Sequence, residues 1–181
     1  MIVSASENAP PHDEAAWRRD CIRRDWPGLA AAAEHLLAVR LKGDPAAVQA
    51  KRLTQLEAQN REATMRDLAA IWQAVVDKQD FPELSVGHAA IWADLKGAAA
   101  SWAKIAAGRP GDQATADLVT RVEALAWYHQ PVTDLGTPMI VLCHRVNQHW
   151  RQVHASRPAK PTPAPAPAMP PAPKLRQEAL F

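Results

Sequence analysis

The sequence predicts an all-α fold, a single helical domain of about six or seven helices followed by a Pro/Ala-rich tail. Three observations carry this expectation. Hydrophobic residues make up 48% of the 181, yet alanine supplies much of that share and aromatics only 6%. Seven glycines and few β-branched runs leave little that would favour strands. Apolar residues recur three or four positions apart, between repeated helix start and stop signals. With the tail set aside, the length suits one domain of ordinary size.

Residues 1–12 are polar, contain Pro10-Pro11, and are expected to be disordered. Asp13 is placed to cap a short helix, EAAWRRDCIRRDW, in which Trp17 and Cys21 lie one turn apart beside Ile22. Pro27 suits the first turn of a second helix, GLAAAAEHLLAVRL, with Gly43 as its expected C-cap. Asp44-Pro45 then repeats the start signal. The longest periodic stretch follows, with Leu53, Leu56, Met65, Leu68, Ile71, Trp72, Val75 and Val76. Its polar middle, EAQNRE, allows either one long helix or two with a break near Asn60.

Phe81-Pro82 ends that run, and Ser85 is placed to cap the next helix, which carries Ile91, Trp92, Leu95, Trp102 and Ile105. Gly108 and Pro110 close it. Asp112 or Thr115 opens another, with Leu118, Val122, Leu125 and Ala126 on one face, and Pro131 bounds it. Thr137-Pro138 is again a cap-plus-proline start, for a last helix MIVLCHRVNQHWRQVH. The domain is thus expected over 13–156.

Beyond it the texture changes. Half of the 16 prolines fall between Pro158 and Pro173, alternating with alanine, so 157–176 is expected to be an extended linker. At about 3.1 Å per residue, the sixteen residues from Pro158 to Pro173 alone could hold the end some ~50 Å from the domain.

Composition narrows the function classes. A formal charge of +2 is too near zero to argue for nucleic acid or membrane from bulk electrostatics. Cys21 and Cys143 form no CxxC pair, which suggests a reducing compartment without a disulfide framework or structural zinc. No cationic start precedes an apolar run, and no stretch approaches the ~18 apolar residues of a membrane span, so a cytoplasmic protein is expected. His144, His149 and His154 recur every five residues, which spreads them around a helix where metal ligands would need to converge. There is no glycine-rich phosphate loop, HExxH or nucleophile elbow. Neither a metal, a cofactor nor a catalytic residue is predicted, and the chain does not read as an enzyme.

Two surfaces remain. Of the seven tryptophans, Trp72, Trp92 and Trp102 share apolar faces with aliphatics and are expected in the core; Trp17, Trp26 and Trp150 lie among arginines. Arg18, Arg19, Arg23 and Arg24 fall on one short helix, and Arg145 and Arg151 on the last, so these helices packed side by side would offer phosphates a cationic surface. A solvated face balanced by Asp20 and Asp25 is the other reading.

The last residues are QEALF. Gln177, Leu180 and Phe181 resemble the short peptide by which many bacterial proteins bind the replication sliding clamp: a glutamine, two variable positions, then Leu-Phe. Glu178 stands where that pattern often has leucine, and Ala179 where it often has Ser or Asp. The resemblance covers five residues of 181. It implies a non-enzymatic replication or repair accessory whose partner is the bacterial DNA sliding clamp. DNA or another replication or repair protein would be the client of the helical domain. The alternative is a helical adaptor or nucleic-acid-binding protein whose tail meets another partner or none.

Overall fold

The computed structural model describes residues 13–132 and 136–156, so the expectations for 1–12, 157–176 and 177–181 lie outside the described residues. The fold is all-α. Six helices follow in order: α1 (Glu14–Arg24), α2 (Trp26–Gln49), α3 (Gln55–Asp77), α4 (His88–Ala107), α5 (Gln113–His129) and α6 (Met139–Ala155). Among the described residues none is long and apolar enough to cross a membrane.

Short connections make hairpins of α2 with α3 and of α4 with α5, and these pairs form the principal packing, with α2 also lying on α5. The apolar spacing that identified each helix also fills the core. Leu29, Ala33 and Leu36 of α2 meet Met65, Leu68, Ile71, Trp72 and Val75 of α3, and Ile91, Leu95, Val122, Leu125 and Ile140 complete the cluster. The alanines of α2 let its backbone come close to its neighbours; Ala30, Ala32 and Ala33 are all buried.

Several boundaries follow the expected chemistry. The Asp13 carboxylate accepts from the Ala16 amide at 3.0 Å, and Asp112 accepts from the Thr115 amide at 3.1 Å. Gly108 closes α4, and α5 ends before Pro131. Four boundaries differ. Gly43 does not end α2, and Asp44-Pro45 opens no new helix; α2 continues through both to Gln49. Asp44 is instead buried beside Arg61 of α3, Oδ2 to Nε 3.2 Å, while Arg40 holds Asp94 of α4 at 3.1 Å. Packing of α2 along α3 therefore outweighs the local stop signal.

The break falls at 50–54, not at Asn60. Thr54 makes a capping box with Glu57, its hydroxyl accepting from the Glu57 amide at 3.1 Å while the Glu57 carboxylate accepts from the Thr54 amide at 2.7 Å. Ser85 caps no helix. Its hydroxyl donates to the buried Asp67 carboxylate at 3.0 Å, which also accepts from the Val86 amide at 2.7 Å, and α4 begins after Gly87. At α6 the N-cap is Pro138, without a side-chain cap. The chain reaches it through a single antiparallel bridge of Pro131 with Pro138.

Candidate functional site

The aromatic centre of the domain lies where α2 starts and α3 and α5 end. Trp72 is fully buried, as expected, and meets Tyr128 edge-on at 5.3 Å and Trp26 at 6.5 Å. Trp26, expected among arginines, thus belongs to this cluster. Trp102 packs at the core margin and lies 5.8 Å from His35. Trp92 is only half-buried, with the Lys96 ammonium 3.9 Å from its ring centroid.

Beside Trp72 runs a polar chain that sequence spacing did not reveal. The Trp72 Nε1–H donates to His129 Nε2 at 3.2 Å, and His129 Nδ1 lies 3.4 Å from His88 Nδ1. Since Nε2 of His129 accepts, its proton sits on Nδ1 and points to His88, whose Nδ1 must then accept. Burial, reinforced by His88, pushes the His129 imidazolium down to about 3. His88 is lowered by burial, against an opposing pull from Asp67. Trp72 and His129 are inside the domain and His88 is half-buried, so the chain ties α3, α5 and α4 together from the core to its margin. Among the described residues no three of His, Cys, Asp and Glu converge to hold a metal ion.

The arginines of α1 are distributed unevenly. Arg18 is committed to Asp117 of α5 through two bonds, Nε to Oδ1 at 3.0 Å and Nη2 to Oδ2 at 2.6 Å. That contact holds the Asp117 carboxyl below its ordinary value. Arg19, Arg23 and Arg24 are exposed, but share the segment with Asp13, Glu14, Asp20 and Asp25. Helices α1 and α6 do not pack along one another: α1 rests on α5 and α2, and α6 chiefly on α5. The two basic sets are thus brought to the same protein but not into a side-by-side pair.

Helix α6 differs from α1 in carrying no carboxylate at all. Arg145 is exposed. Arg151 is half-buried, its Nε donating to the Asn147 carbonyl at 3.0 Å and its Nη1 to the Lys78 carbonyl at 3.4 Å. Lys78, the C-cap of α3, adopts φ 62°, a left-handed conformation for which glycine is the usual residue. Trp150 is 55% exposed and stacks on His154 with ring centroids 5.9 Å apart. Between α6, the start of α2 and the end of α3 lies an open groove of about 540 Å³. Trp26, Val75, Val76 and Trp150 provide its apolar wall, and Lys78 and Arg151 its charge. Trp26, Trp150 and Arg151 stand out in the sequence; Val75 and Val76 read there as simple core positions.

The described part of the chain is therefore an all-α domain with a polar chain running out from its core and an apolar groove bordered by cations. In comparisons with known proteins, no family model matches the chain, and no curated protein and no solved structure matches it. Gln177, Leu180 and Phe181 lie outside the described residues.

Proposed function

We propose that this chain is a non-enzymatic accessory or regulatory protein of bacterial DNA replication or repair, which docks on the sliding clamp through Gln177, Leu180 and Phe181. The observation that carries this reading is the QEALF segment beyond a proline-rich stretch. Full burial of Leu180 and Phe181 contributes roughly 1.5–3 kcal/mol each, before ordering costs. A glutamine amide donates and accepts together and so fixes register in a pocket. Together the two side chains supply about 3–6 kcal/mol before ordering costs, so a single peptide binds weakly, no tighter than the micromolar range. The contact is reversible, and the linker lets the helical domain work at a distance from it. The domain itself engages the client, DNA or another replication or repair protein.

Binding of the full chain to purified clamp tests the proposal directly. Changing Leu180→Ala together with Phe181→Ala is expected to weaken it at least tenfold. Equal affinity of the two chains refutes it. A direct DNA contact through Arg19, Arg23, Arg24 and Arg145 would instead show as steeply salt-dependent binding that falls when those residues are neutralised.

A further inference from the structure

The geometry points to the groove between α6, the start of α2 and the end of α3 as a docking site for an acidic, apolar-anchored peptide segment of another protein. Its wall is made of Trp26, Val75, Val76 and Trp150, a mixture of aromatic rings and β-branched side chains that suits leucine or aromatic anchors. A volume of about 540 Å³ fits two or three such side chains. The charged side chains of its lining have one sign. Lys78 and Arg151 border the groove, and no Asp or Glu lines it. Asp25, Asp77 and Asp80 are not part of the lining; their carboxylates accept from the Gly28 amide at 3.1 Å, Gln73 at 2.9 Å and Gln148 at 2.6 Å.

Charge complementarity selects the occupant. The chain's own segment 157–181 carries Arg157, Lys160, Lys174 and Arg176 against a single carboxylate, Glu178, so its charge matches that of the groove. A nucleic acid strand would need a track of phosphate contacts. Here two cations border the groove, and Arg151 already spends two of its N–H groups on carbonyls. A peptide with carboxylates flanking apolar anchors satisfies both the wall and the rim. This inference concerns the client side of the domain and stands or falls separately from clamp docking.

Panning a display library of random 12-residue peptides against the full chain, followed by affinity measurement with the recovered peptides, tests it. Recovered sequences are expected to carry Asp or Glu beside Leu, Phe or Trp. Trp150→Ala is expected to weaken them at least tenfold. Lys78→Gly removes a cation while relieving a left-handed backbone, so it is expected to weaken them about threefold in a protein whose fold is intact or firmer. Recovery of no peptide, absence of acidic bias, or undiminished binding to Trp150→Ala overturns the inference. So does displacement of the recovered peptides by a twenty-residue oligothymidylate, which would make nucleic acid the occupant. Movement of the Trp26 and Trp150 indole NMR signals in the Leu180→Ala, Phe181→Ala chain overturns it too, because the occupant is then the chain's own segment. Trp150→Ala is expected to leave clamp binding unchanged, so the two readings fail independently.

Discussion

Lowering the pH through the range in which histidine normally titrates should destabilise this domain through His129. In the native protein its Nε2 accepts from Trp72, whose indole is fully buried and has no water to turn to. A proton on Nε2 would face the indole N–H donor to donor, and a charge there would be buried beside His88. Native His129 therefore stays neutral down to about 3, whereas an unfolded histidine takes up its proton near 6.5. A base whose folded pKa is depressed contributes stability above its unfolded value, and that contribution is lost as pH falls toward the folded one. One such proton changes stability by up to about 1.4 kcal/mol per pH unit, so between pH 6.5 and 4.5 the loss attributable to His129 is about 2.3 kcal/mol. His88 is lowered in the same direction and adds to the slope. His129→Gln isolates the term, because an amide can accept from Trp72 and donate to His88 without titrating. Urea denaturation followed by tryptophan fluorescence from pH 7.5 to 4.5 supplies both curves. The gap between them should close by about 1.4 kcal/mol for each unit below pH 6. Parallel curves would refute the reasoning.

Two further outcomes concern α2 and the start of α3. Pro45 inside α2 cannot donate to the Leu41 carbonyl, so Pro45→Ala restores a helix bond. An interior proline costs about 3 kcal/mol relative to alanine, less about 0.4–1 kcal/mol for the stiffer unfolded chain, so thermal unfolding should show a gain of about 2 kcal/mol; a loss would mean that the proline shapes the α2 packing. Thr54→Ala removes the hydroxyl that caps α3, and chemical denaturation should report a loss of about 1 kcal/mol. No loss would show that the Glu57 carboxylate alone holds the start of α3.

How much was legible beforehand depended on the range over which each signal acts. Asp13, Asp112, Gly108 and Pro131 act within one turn, and the helices begin or end beside them as expected. Gly43-Asp44-Pro45 is an equally good local signal, yet α2 runs through it because Asp44 finds Arg61 in another helix. Ser85 likewise turns to Asp67, eighteen positions earlier, instead of capping α4. Trp72 could be placed inside from its aliphatic neighbours, but its hydrogen-bond partner lies in α5 and the third member of the chain in α4. The groove was invisible for the same reason: Trp26, Val76 and Trp150 are far apart along the chain, and only the crossing of three helices makes them one surface. The QEALF segment is the opposite case, a signal carried wholly by adjacent residues.

Helix α6 has a small stake in the core. Only Ile140 and His144 of its length are buried, against eight residues of α3 and seven of α5. It is held by the stack of His144 on Phe81, with ring centroids 4.3 Å apart, and by the reach of Arg151 to the end of α3. Its amides should therefore exchange with deuterium sooner than those of α3 and α5, opening as a unit while the aromatic centre stays closed. This same helix forms one side of the groove and is followed in sequence by the proline-rich stretch. Anything seated against Trp150 would slow that opening, so occupancy of the groove would be felt as far as the last turn of α6.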